Sequence, residues 1–322
     1  MKFRQLAAIL VVVAAVGGAR AQAKYLPESN NAALRYWAAL VEMRDNPYTE
    51  EATNKMLLAV MKGETAWNEE KMGPVLDVYA DSIQTMQRGT KLPDCNWGLD
   101  YQLGNLKLMQ TLMRSRGLEE VNTVEGVRQL AKGDSKAAVE TWRAGIRFSQ
   151  DVGRSGPLIN AMIGSALLQD ELLALANYAG AGKLPQAQRE ELYAAVKAMP
   201  EDGFDWGLAW GVEFAIGDQF LQQLRTSSNP KAIYEKYGYD APKGLPPTTE
   251  EIRAYEDYML AVQAALREPT AEATARAADL ESKTRRLGEP EQLLAPAFRL
   301  ANNARAQVAK QRDELMRALA SK

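Results

Sequence analysis

The sequence predicts an all-α protein of stacked antiparallel helical hairpins, about 11–12 helices with no substantial β-sheet. Three observations lead there. Apolar residues recur at three- and four-residue spacing almost throughout, the period of a helix with one buried face. Gly, Pro and short polar residues punctuate that pattern where helices start and stop. The segment Leu158 to Tyr178 is apolar on nearly every side, with Asp170 and Glu171 as its only charges, so it belongs at the centre of a helical array.

Taken in order, Pro47 ahead of Thr49-Glu50-Glu51 opens a helix, and Gly63 closes the run Met56 to Lys62. Gly73-Pro74 opens a helix from Val75 to Arg88. Further helices are expected over Trp97 to Arg114, Glu119 to Lys132, Ser135 to Val152, Pro157 to Tyr178 and Pro185 to Met199. From Phe204 to Ile216 the apolar residues alternate strictly, the period of a strand, yet Trp206, Trp210 and Phe214 also share one side of a helix, with Gly207, Gly211 and Ala215 adjacent. A lone long strand would leave its backbone groups without partners, so the segment is taken as helix. After Ser227 the chain turns rich in Pro, Gly and Tyr, with one short helix from Pro230 to Tyr237 capped by Asn229. Thr248 with Glu251 forms a capping box for the next long helix. Ala271 to Leu287, stopped by Gly288, and a terminal helix to about Leu319, which Pro296 should kink or restart, complete the order.

Composition excludes more than it asserts. The 322 residues include no histidine and one cysteine, Cys95. Ser-His and Cys-His nucleophile pairs are therefore absent, as is the usual base near neutral pH. A zinc site of several cysteines and an intramolecular disulfide are equally impossible. No cofactor and no metal site is expected, and none of the acidic clusters has the spacing of a calcium-binding loop. Glu50-Glu51, Glu69-Glu70, Glu119-Glu120 and Glu190-Glu191 are expected on solvated faces or in first turns, where they complement the helix dipole.

The first residues carry the pattern of a secretory signal peptide, 1–23: basic Lys2 and Arg4, an apolar stretch Leu6 to Val16, then Ala19-Arg20-Ala21 and Ala21-Gln22-Ala23 as small-x-small cleavage sites. That stretch is too short to cross a bilayer, and no later segment is expected to cross one. Without Lys2, Arg4 and Arg20 the chain keeps 36 basic against 41 acidic residues, a mildly acidic balance that argues against a nucleic-acid partner. The expected organisation is a helical-hairpin array over 24–226, a Pro/Gly/Tyr-rich loop over 227–248, and C-terminal helices over 249–322 packing on the array.

Gly126 to Gln150 resembles one tetratricopeptide-type hairpin. Gly126 stands at the small first-helix position, Gly133-Asp134 makes the turn, and Ala138, Trp142, Gly145 and Ile146 follow at the small, aromatic, small and aliphatic positions of the second helix. Asn122, Glu125 and Gln129 depart from it, standing where the motif has large apolar groups. The resemblance implies hairpins stacked as in an α-solenoid, presenting a concave face to a peptide or protein. As a whole the chain resembles uncharacterised exported all-helical proteins of bacteria, most closely over Ala131 to Ser149.

An internal echo marks the candidate site. Pro93-Asp94-Cys95-Asn96-Trp97-Gly98-Leu99 matches Asp202-Gly203-Phe204-Asp205-Trp206-Gly207-Leu208, each with a short polar cap before Trp-Gly-Leu. On helices, Trp97, Asp100 and Tyr101 share a face, as do Trp206, Trp210 and Glu213. Rings beside carboxylates, Asp205 included, suit a sugar-binding cleft or acid–base work on a glycosidic bond, and that use requires the rings to be accessible. The same spacing also suits core packing. Tyr234, Tyr237 and Tyr239 decorate the loop as a second candidate surface, and the basic end of the terminal helix, from Arg299 to Lys322, is a third, toward anionic surfaces. The expected function is a non-catalytic binding or scaffold protein, exported to the periplasm or medium, with a protein or peptide partner. The alternative is a glycan-binding or carboxylate-dependent glycan-processing protein of the envelope.

Overall fold

The computed structural model describes residues 29–43, 50–98, 105–154, 156–179, 182, 184–236, 240–295 and 298–320, with backbone alone at 105–113, 236, 293 and 294. Among these are fifteen helices and no strand. They are α1 (Ala32–Glu42), α2 (Glu51–Met61), α3 (Glu69–Asp77), α4 (Ala80–Gly89), α5 (Asn105–Ala131), α6 (Ser135–Gly153), α7 (Leu158–Ala179) and α8 (Gln186–Ala198). Then follow α9 (Trp206–Thr226), α10 (Pro230–Lys236), α11 (Thr249–Leu266), α12 (Thr270–Ala275), α13 (Ala277–Thr284), α14 (Glu289–Leu294) and α15 (Phe298–Ala320). The signal-like segment 1–23 and Pro296 lie outside the described residues.

Several boundaries differ from the sequence expectation for local reasons. A helix begins at Glu69, ahead of Gly73-Pro74, because the Asn68 side chain accepts the Lys71 N–H and caps it. Pro74 then lacks the N–H that would bond Glu70, and the helix ends at Asp77 before restarting as α4. Glu119 to Lys132 is not a separate helix: α5 runs through Gly117, whose cost of about 1 kcal/mol relative to Ala does not break a packed helix. Trp97 lies on no helix. Phe204 to Ile216 is helical from Trp206 onward, started by the Asp205 side chain accepting the Leu208 N–H at 3.0 Å. The expected helix from Ala271 to Leu287 is broken at Arg276, and after α14 the chain restarts as α15. The Thr248–Glu251 capping box forms as expected.

Hairpins pack antiparallel. Gly133, at φ +86, turns α5 into α6, and Asp134 caps α6 by accepting the Ala137 N–H. Gly126 is where the two helices close, since a Cβ there would come within 2.6 Å of Trp142 Cδ1. The Trp142 indole fills the groove and donates to Thr123 O at 3.1 Å. At the next crossing a Cβ on Gly164 of α7 would lie 2.5 Å from the Gly153 backbone of α6.

Residues 31–322 form one compact unit with two hydrophobic clusters. The first gathers α1 to α8 with Val308, Leu315 and Leu319 of α15. The second gathers α9 to α13 with Leu158 and Ala161 of α7 and Phe298 and Ala301 of α15. Contrary to expectation, α7 is long and apolar enough to cross a membrane. Most of it is instead buried inside the protein, among α5, α6 and α15. The terminal helix packs on α7 and α8 and also on α12 and α13.

Candidate functional site

The predicted aromatic residues fall into two places. Trp206 stacks on Phe204 with ring centroids 5.0 Å apart and donates to Asp202 O at 3.0 Å. Trp210 meets Tyr258 edge-on and donates to Met259 O at 3.0 Å, fastening α9 to α11. Both rings belong to the second cluster, exposed at 1% and 0%. Trp97, exposed at 7%, belongs to the first, against Tyr36 and Trp37, and donates to Asp151 O at 3.1 Å. The glycan reading requires these rings to be accessible; they sit instead in separate clusters with their faces covered, as the core-packing alternative has them. Asn96, the counterpart of Asp205, accepts the Gly98 N–H in a local turn instead of capping a helix.

Glu213 is not an open carboxylate. Its Oε2 accepts the Leu158 N–H at 3.0 Å, so a side chain of α9 caps α7, and burial raises its pKa. Asp205 is exposed and engaged as the cap of α9. Tyr234 is buried edge-on against Phe220, its phenol pushed up to about 12 by burial and by Glu291 and Glu289. Asp100, Tyr101, Tyr237 and Tyr239 lie outside the described residues.

Two surface depressions flank the start of α9. One is a groove of about 350 Å³ lined by Leu208, Gly211, Val212, Ala215, Ile216 and Gln219 of α9 with Gln263 and Arg267 of α11. Beside it α9 turns glycines toward α11, so that α11 side chains lie directly against its backbone. Cβ atoms on Gly207 and Gly211 would come within 2.8 Å of Arg267 Cγ and 2.7 Å of Gln263 Nε2, and Gln263 donates to Gly207 O at 2.9 Å. Leu208, half exposed, forms an apolar lip. The other, about 460 Å³, lies between residues 200–206 and 266–270 above Arg305. That guanidinium is buried and fully engaged, 2.7 Å from Asp202 Oδ2 and 2.6 Å from Glu268 O.

The feature that sequence reasoning missed is a polar seam through the first cluster. Glu119 and Glu120, expected on a solvated face, are buried in the middle of α5 because that helix continues through them. Glu119 meets Glu171 of α7, and Thr123 Oγ1 contacts both, 2.9 Å from Glu119 Oε1. Burial, first of all, raises both carboxyls. Arg116 pairs with Asp170 at 3.3 Å and with Glu120 at 3.6 Å. The seam continues through Gln87, which donates to Asn122 at 3.0 Å, and through Thr141, which donates to Gln129 at 2.8 Å. Asn122, Glu125 and Gln129, the departures from the tetratricopeptide pattern, were the signal that could have found it.

Among the described residues no group of three or more acidic or thiol side chains is arranged to hold a metal ion. Cys95, half-buried beside Asp151, has its thiol pushed up to about 12 by burial. No protein-family model, curated protein or solved structure matches the chain.

Proposed function

We propose that this chain is an exported, non-catalytic binding or scaffold protein of the cell envelope, and that it engages a protein or peptide partner at the groove between α9 and α11. The observation that carries the reading is that open groove, lined by the apolar side chains of Leu208, Val212 and Ile216. An apolar surface of this kind accepts apolar side chains of a partner. The most strongly raised carboxyls, Glu119 and Glu171, lie instead deep in the core. Export rests on the basic, apolar and small-residue order of residues 1–23.

A photo-cross-linking side chain placed at Leu208 or Ile216 tests both parts in a cell that makes the full sequence. A control position at Lys55, exposed on α2, reports random encounter. Discrete adducts from the groove positions alone, in the extracytoplasmic fraction, are expected. Equal adducts from Lys55, or a protein confined to the cytosol, would overturn the reading.

A further inference from the structure

Thr123 has one hydroxyl hydrogen and two carboxyl neighbours. Its Oγ1 lies 2.9 Å from Glu119 Oε1 and also contacts Glu171 Oε2. A hydroxyl donates only once, so one of these contacts is the threonine donating to a carboxylate and the other needs a hydrogen on the carboxyl. Both glutamates are fully buried, and Glu119 Oε2 and Glu171 Oε1 have no hydrogen-bond partner among the described residues. Two bare carboxylates in such a place would lose solvation and repel each other. We propose that Glu119 and Glu171 share a proton at neutral pH and form a pH-sensitive latch, which fastens α5 to α7 while protonated and weakens as the proton leaves.

The charges around the pair fit this. On α5 and α7 the neighbours are Glu120, Asp170 and Arg116, and the arginine is engaged by those two acids. Just past the end of α2, Lys62 acts on Asp170. Opposite Glu171, α6 offers the bare backbone of Gly145, where a Cβ would come within 2.8 Å of Glu171 Oε2. Its arginines turn elsewhere, Arg143 to Glu191 and Arg147 to Asp151. On α3 and α4, Glu69 and Asp77 hold Arg128, and Arg88 donates to Thr85. On α15, Arg305 reaches Asp202 and Arg312 reaches Val196 O.

The sign follows from linkage. Burial raises both carboxyls above the ordinary glutamate value of about 4.3, so the folded state binds protons that the unfolded chain has released. The stabilisation is complete below that value and is lost as pH rises through the raised folded values.

The test is thermal unfolding from pH 5 to 9, with infrared spectra of the carboxylic-acid carbonyl band, on the wild type, Glu119→Gln and Glu171→Gln. An amide has the shape of the protonated acid. Expected are a wild-type midpoint that falls by several degrees across the range, a carbonyl band at pH 7 that fades in parallel, and a flatter midpoint profile and weaker band in either variant. A wild type without the band at pH 7 overturns the proposal even if neither variant folds, and so does a band and slope unchanged in both variants. The latch does not depend on what the groove binds.

Discussion

The indole of Trp142 lies over the bare backbone of Gly126, in a space that a single methyl group would fill. Gly126→Ala therefore pushes the ring out of its groove or parts α5 from α6. Overpacking of this kind costs about 1–3 kcal/mol. Urea unfolding should show a lower midpoint at unchanged slope.

Trp206 and Trp210 are predicted to matter for stability. Each is buried and uses its N–H on a backbone carbonyl. Truncation to alanine removes a large side chain from the second cluster and should cost about 3–5 kcal/mol. Leu208→Glu, two residues from either ring and half exposed, should stay within about 0.5 kcal/mol of the wild type. Chemical unfolding of the three variants side by side checks the contrast, and equal losses would mean that the groove lip is part of the core.

Arg305 sits 2.7 Å from Asp202 with almost none of its surface in water. Arg305→Met removes that pairing and also frees Glu268 O, leaving an acid facing an apolar side chain. Loss of one partner from a buried pair costs about 3–5 kcal/mol, and the partial exposure of Asp202, 16%, places this case at the lower end. Asp202→Asn in the same background should recover part of the loss in a double-mutant cycle.

At the acidic end a different pair governs. Arg128, followed by Lys132 and Trp67, holds the Glu69 carboxyl down at about 2. A depressed folded pKa gives stability that is present above the unfolded value and lost as pH falls through the folded one. Arg128→Met should flatten the fall in unfolding midpoint between about pH 4 and pH 2, measured at low salt so that screening does not mask it.

Cys95 should be slow toward alkylating reagents. With its thiol pushed up to about 12, the thiolate fraction at pH 8 is on the order of a thousandfold below that of a free cysteine with pKa about 8.5. Iodoacetamide labelling of the native and the urea-unfolded chain gives the ratio directly.

Local chemistry made much of the fold legible. Caps such as Asp134, Asp205 and Thr248 act within a few residues of themselves, so helix starts at 135, 206 and 249 could be read in advance. The apolar surround of Leu158 to Tyr178 placed α7 at the centre for the same reason. The site was less legible, because it depends on which faces meet. Nothing near Glu119 in the sequence reports that Glu171, in another helix, will seal it from water. Nothing near Trp97 reports that Tyr36 and Trp37 will cover it. The polar residues at 122, 125 and 129 broke the apolar pattern of a hairpin, and that break was the visible edge of the seam.

The helix α15 supplies Phe298 and Ala301 to one hydrophobic cluster and Val308, Leu315 and Leu319 to the other. Neither is complete until residues 298–319 have been synthesised. A nascent chain that stops short of them carries two unfinished apolar surfaces at once, the state in which association between chains competes with folding. The order of synthesis thus leaves both clusters to be completed at the same late moment.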